Sequence, residues 1–304
     1  MRNVLKDKEL EKEFQEQGYV SVPFISEKDV AFLKNEFNRL IVTSEGMIGP
    51  EDTEIKVDEV CDIDFTFLDK NIEHKKEVFK SVVSVFEPYY KNILDDYKPI
   101  IANFIRKKPK IGNETLLHQN WAFIDERKGT SVSIWCPLID SKRENGAIEV
   151  VPRSHKRFGE IRGPMIPWEL EGIKDEIIKN DLVTCETKAG DAVILDDSII
   201  HYTYPNTTDE LRIAIQLILV PKEQDCIHYH MNPEKSNSEV HTLKVDKDFF
   251  MAFNPWKKPT GVSSIRDLKI ESKSLSREEY LKRFKKPKFD EKLNFFQKVK
   301  AVFS

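Results

Sequence analysis

Four side chains invite a chemical reading before any element is assigned. They are His118 and Asn120 in "LLHQNWAFIDE", His201 in "DDSIIHYTYPN" and Arg212 in "ELRIAIQLILVP". On a strand, the i, i+2 spacing of His118 and Asn120 points both side chains to one face. His201 follows His118 by 83 residues, and Arg212 follows His201 by 11. Two imidazoles and one short oxygen-bearing side chain can take three corners of one octahedral face of a metal. The other three corners stay open for a chelating co-substrate and oxygen, the arrangement of non-haem iron(II) oxygenases. If the co-substrate is 2-oxoglutarate, its far carboxylate needs a fixed cation. The arginine fork offers two parallel donors where lysine offers a point charge. Asn120 is the irregular member, because aspartate in its place would give iron(II) a negative, hard oxygen. The amide oxygen is neutral and holds the metal more weakly.

The elements around these residues are legible in part. A charged helix over residues 6–17 leads into a short strand, "GYVSVPF", and then into a helix with Ser26 as N-cap. Val30, Leu33, Phe37 and Leu40 recur there at helical spacing. Residues 71–105 read as mostly helical. From about residue 115 the pattern changes to short strands. In "TSVSIWCPLI", Val132, Ile134, Cys136 and Leu138 share one face, and Ser133 and Trp135 the other. "GAIEVVP", bracketed by the turn signals "ENG" and "PRSH", is another strand, and "AGDAVILDD" and "ELRIAIQLILVP" are two more. In the last, Ile213, Ile215, Leu217 and Leu219 face away from Arg212, Ala214 and Gln216. Short strands after a helical start predict a mainly β jelly roll, a cupin-like double-stranded β-helix, with flanking helices. The expected organisation is one domain over 1–304: a helical part (1–110), a jelly-roll core (about 111–222) and an extension (223–304).

Composition narrows the class. The chain has 304 residues and a net charge of −4, unevenly spread. Residues 257–304 hold 14 Lys/Arg against 6 Asp/Glu, a net of +8, which leaves −12 on the first 256. Such a basic end can meet an acidic partner, an anionic membrane or nucleic acid, but a solvated face explains it as well. The stretch "DEKLNFFQKVKAVF" reads as an amphipathic helix with Leu293, Phe296, Val299 and Phe303 in one stripe. Peripheral membrane contact is one use for it, and packing on its own core another. Neither a secretory h-region nor an apolar run long enough to span a membrane is present. The four scattered cysteines form no metal or disulfide pattern. Together these features lead us to expect a reduced, cytoplasmic protein with no nucleic-acid partner.

Five segments in order resemble the phytanoyl-CoA dioxygenase family of iron(II)/2-oxoglutarate oxygenases. "FQEQGYVSVPFISEKDV" is similar to its N-terminal segment, and "RKKPKIGNETLLHQNW" to the stretch leading into its H-Q-D-W motif. "SVSIWCPLID" and "ENGAIEVVPRSHK" resemble its next strand and its N-G…G-S-H segment. "GDAVILDDSIIHYTYPNTTDELRIAIQLILVP" is similar to its distal histidine and arginine stretch. The resemblance implies Fe(II) held by His118 and His201, with Asn120 where the family has its metal-binding aspartate. It implies Arg212 and Thr203 on the far carboxylate of 2-oxoglutarate, and Lys108 and Trp135 lining the same pocket. Arg153 stands where the family's turn carries glycine.

The implied activity is hydroxylation of a C–H bond of a small molecule or acyl-type substrate. Three readings of Asn120 stay open. In the first it ligates through its carbonyl oxygen or a water; in the second another carboxylate among Asp125, Glu126, Asp196 and Asp197 substitutes; in the third the protein is a non-catalytic binding scaffold. Halogenation fits less well, because asparagine fills the space a halide would need.

Overall fold

The computed structural model describes residues 2–49, 63–110, 114–231, 238–255, 257–271 and 273–291. Local signals set its first elements. Asp7 accepts from the amides of Glu9 and Leu10 to start α1 (Lys8–Gln17), and Gly18 ends it at φ +87°. That left-handed turn favours glycine, and a Cβ there would sit 2.4 Å from the His155 ring. Strand β1 (Tyr19–Pro23) follows. Ser26 caps α2 (Glu27–Leu40) through the Asp29 amide, and Val30, Leu33, Phe37 and Leu40 form its buried stripe, as the spacing predicts.

The expectation of helix across 71–105 needs correction. After the short β2 (Asp64–Phe65), α3 (Ile72–Ile93) stops before Leu94, and an 11-residue strand, β3 (Tyr97–Lys107), takes over. Most of β3 is buried on both faces, so its sequence lacks the alternation that would have marked a strand. Its Ile100, Ile101, Phe104 and Ile105 suit a pleated, buried surface better than a helix.

The remaining elements are β4 (Thr115–His118), β5 (Val132–Pro137), β6 (Ile148–Val150), α4 (Lys174–Asn180), β7 (Val183–Cys185), β8 (Asp191–Asp196), β9 (His201–Thr203) and β10 (Arg212–Pro221). Beyond them lie β11 (Cys226–Met231), β12 (Glu239–Val245), α5 (Lys247–Met251), β13 (Ser264–Lys269) and α6 (Arg277–Arg283).

These strands make the expected jelly roll. A six-stranded antiparallel sheet runs β1-β8-β5-β10-β3-β2, and a four-stranded one runs β4-β9-β6-β7. The large sheet thus recruits β1 and β3 from the part read as helical. Alternation sorts its side chains: Ile134, Cys136, Ile215 and Leu217 pack outward against Phe14, Leu33, Phe37 and Phe86 of the helices. Trp135, Ala214, Val193 and Leu195 turn inward onto Ile148, Val150 and Cys185 of the smaller sheet. Truncating one of the buried helix phenylalanines to alanine would cost about 3–5 kcal/mol.

A third sheet, β11-β12-β13, lies in the extension, for which the sequence carried no strand expectation. The stripe proposed for residues 290–303 lies outside the described residues from 292 onward. Among the described residues, no helix is long and apolar enough to cross a membrane.

Candidate metal and co-substrate site

The two histidines arrive from neighbouring strands of the smaller sheet. His118 ends β4 and His201 begins β9; the two pair directly in register, their ring centroids 4.1 Å apart. Each ring is oriented by its own strand: His118 Nδ1 bonds the Leu116 carbonyl at 2.7 Å, and His201 Nδ1 the Ile199 carbonyl at 3.0 Å. A carbonyl only accepts, so Nδ1 carries the proton and both Nε2 lone pairs are left for a metal. Burial lowers the pKa of both rings, and the neighbouring His118 lowers that of His201 further. They are therefore held neutral, the form a metal ligand requires.

Asn120 sits just past β4. Its Nδ2 donates to Ser133 Oγ at 3.0 Å and to Asp197 Oδ1 at 2.8 Å, while Ser133 Oγ donates to the same Asp197 oxygen at 2.6 Å. Its backbone carbonyl accepts from Arg162 Nε at 2.6 Å, and Arg162 is closed off by a buried ion pair with Glu126. Between the two residues, Gln119 points the other way. It donates to the Phe158 and Ser198 carbonyls and accepts from Trp168 Nε1, tying the end of β4 to two loops.

Of the four carboxylates considered as substitutes, Asp197 is the one that reaches Asn120. Glu126 is engaged by Arg162, Asp196 accepts from the amide and hydroxyl of Ser198, and Asp125 meets Lys128. Asp197 is fully buried and its Oδ2 has no hydrogen-bond partner among the described residues. Burial pushes its carboxyl up to about 7, against the opposing pull of Ser133, Asn120 and Ser131. The Ser131 hydroxyl lies near enough to favour the charged form, although it closes no hydrogen bond. Among the described residues, no three His, Cys, Asp or Glu side chains converge as a metal set. The available donors are two imidazoles and one amide oxygen.

Arg212 begins β10 on the inward face. It is 1% exposed, and its Nε and Nη1 have no hydrogen-bond partner among the described residues. Its guanidinium carbon lies 5.7 Å from the centre of the Trp135 ring. Burial alone pulls its pKa down to about 9. A buried cation facing no anion is costly, and a dicarboxylate ligand would supply the missing charge. Thr203 ends β9 and donates to Thr115 Oγ1 at 2.8 Å.

Lys108 requires correction. It follows β3 as an exposed residue, and the preceding Lys107 is the buried one. Lys107 Nζ donates to the Tyr204 carbonyl at 2.6 Å beside Gly146, whose φ of +83° leaves no room for a Cβ against Tyr204. The strand period decides this, because one residue of register turns a side chain to the other face.

His118 also lines a cleft of about 680 Å³. Arg162, Ile166, Trp168 and Glu171 form part of its wall, which brings the stretch 162–173 to the cleft beside His118. Arg153 does adopt the turn that glycine favours, at φ +68°. Sequence reasoning named Asp197 only as a substitute ligand, placed Ser133 on a strand face without a role, and passed over Lys107. The inward alternation of β5 flagged the Ser133 face, but nothing local tied Asp197 to Asn120.

Residues 14–214 match the family described as Phytanoyl-CoA dioxygenase (PhyH), and the chain belongs to that family. A Dictyostelium discoideum protein, "Phytanoyl-CoA dioxygenase domain-containing protein 1 homolog", is 33% identical over 42% of this chain and 48% of its own length. The chain spans about half the length of the curated relatives it matches at this level.

Two solved structures share the fold at a TM-score of 0.51. They are the non-heme alpha ketoglutarate dependent carbocyclase SnoK (20% identity, covering 73% of this chain and 86% of that one) and the epimerase SnoN (18%, 90% and 96%), both from nogalamycin biosynthesis.

Proposed function

We propose that this chain is an iron(II)- and 2-oxoglutarate-dependent oxygenase acting on a small molecule. His118, His201 and Asn120 Oδ1 would hold the metal, and Arg212 with Thr203 the far carboxylate of the co-substrate. The observation that carries this reading is Arg212: a fully buried guanidinium with two unpartnered nitrogens, on the sheet face that turns toward the histidine pair. Bound iron would supply oxygen activation coupled to the breakdown of 2-oxoglutarate to succinate and carbon dioxide.

The protein's part is positioning. Strand pairing aligns the two imidazoles, the carbonyls of Leu116 and Ile199 fix their protons on Nδ1, and Trp135 forms a wall beside Arg212. Substrate would enter from the cleft at His118, and hydroxylation of a C–H bond is the reaction this arrangement suits best.

The test is anaerobic titration of the metal-free protein with iron(II) and then 2-oxoglutarate, followed by succinate assay with candidate substrates. A visible metal-to-ligand charge-transfer band, and substrate-dependent succinate in air, are expected. The neutral Asn120 favours one rival, a binding protein that keeps the pocket without turnover. It predicts the band without succinate under any substrate. Absence of the band rejects the oxygenase reading.

A further inference from the structure

We infer that Asp197 is the positioning residue that makes Asn120 a metal ligand, and that the two residues work as a matched pair. The inference rests on the oxygenase reading above. Asp197 Oδ1 already accepts the Ser133 hydroxyl at 2.6 Å, so the Asn120 atom facing it at 2.8 Å must be a donor. Oxygen against oxygen at that distance would be repulsive. The amide is thereby locked with Nδ2 toward Asp197 and Ser133, and nothing among the described residues donates to Oδ1. An unrestrained asparagine offers a metal either end of its amide, and only the oxygen is a useful donor. Asp197 removes that ambiguity. It is itself immobilised by complete burial and by its backbone amide donating to the Ser131 carbonyl.

The same geometry accounts for the absence of an aspartate at 120. A carboxylate there would set a second acceptor against the Asp197 oxygen that already accepts from Ser133, at about the hydrogen-bond distance and without the donor that the amide supplies. The ordinary metal carboxylate and Asp197 are therefore alternatives. With Asp197 in place, position 120 needs a side chain that has a donor on one side and an acceptor on the other.

A double-mutant cycle on the full chain tests this, using Asn120→Asp, Asp197→Asn and the exchanged pair, all nearly equal in volume. Iron(II) affinity is read from the 2-oxoglutarate charge-transfer band, and folding from metal-free melting. Asn120→Asp should raise iron affinity less than threefold in the wild-type background. In the Asp197→Asn background, where the amide can donate to the new carboxylate, it should raise affinity tenfold or more. Asp197→Ala should weaken iron binding at least tenfold, whereas Asp197→Asn, which keeps an acceptor, should stay within threefold of wild type. Equal gains from Asn120→Asp in both backgrounds would overturn the inference and leave the oxygenase reading intact. So would folded Asp197→Ala binding iron like wild type. No band in the wild-type protein would overturn both.

Discussion

Two pairs of histidines sit in separate sheets and differ in everything but residue type. In the first, His118 and His201 come from different strands, each ring holds a carbonyl through Nδ1, and the polar group of Asn120, Ser133 and Asp197 lies at the end of β4. In the second, His228 and His230 share one strand. Among the described residues their Nε2 atoms have no hydrogen-bond partner, and His228 packs against Phe249, Phe253 and Trp121. The first pair lies on the sheet that the inward face of β10, with the buried Arg212, packs toward; around His228 of the second the ring neighbours are aromatic. An i, i+2 spacing on a strand is therefore not a site. The proposed function instead puts the site where unlike donors converge from separate strands.

The largest effect that can break this comparison is ligand removal. His201→Ala should abolish the iron and 2-oxoglutarate charge-transfer band, whereas His228→Ala should leave it intact while lowering the melting temperature. Loss of the band in a folded His228→Ala protein would erase the distinction.

Arg212 gives the next effect, with two opposite signs. Arg212→Met should weaken 2-oxoglutarate binding on the order of 100-fold, since bonds to a charged group contribute about 1.5–3 kcal/mol each. Without co-substrate the same variant should melt higher, because it removes an unpaired buried charge, by about 2–4 °C for each kcal/mol relieved. Calorimetric titration and melting curves with and without 2-oxoglutarate check both.

A third effect is pH-dependent. Burial, helped by the charge of His230, lowers the His228 pKa from 6.5 to about 3. The folded protein keeps this ring neutral while the unfolded chain protonates it below about 6.5. Stability is therefore complete above that pH and falls as pH drops toward 3, by up to about 1.4 kcal/mol per pH unit from this residue. His155, lowered to about 4 by burial, adds to the same trend. Replacing His228 with Phe should flatten the slope between pH 6 and 4 by about one proton, measured by denaturant melts across that range.

The smallest expected effect tests a departure in the turn before His155. Arg153 adopts φ +68°, a conformation that costs a side-chain-bearing residue about 1–2 kcal/mol. Arg153→Gly should recover up to about 1 kcal/mol, after the entropy that glycine adds to the unfolded chain. The metal site should not respond.

Local chemistry decided what local chemistry can. The N-caps at Asp7 and Ser26 follow from residue type, because a short oxygen side chain satisfies the first helical amides. The facing of β5 and β10 follows from period two, which assigned Trp135 and Arg212 to one wall and Ile134 and Ile215 to the other. The identities of His118, His201 and Arg212 as candidates also came from spacing and residue type.

Folding alone decided the rest. A strand buried on both faces carries no alternation, so β3 read as helix, and with it went the one-residue distinction between Lys107 and Lys108. The pairing of Asn120 with Asp197 joins positions 77 residues apart in the chain. No local pattern records such a pair, because its hydrogen bond exists only once the end of β4, β5 and the loop after β8 have converged and excluded water from the carboxylate.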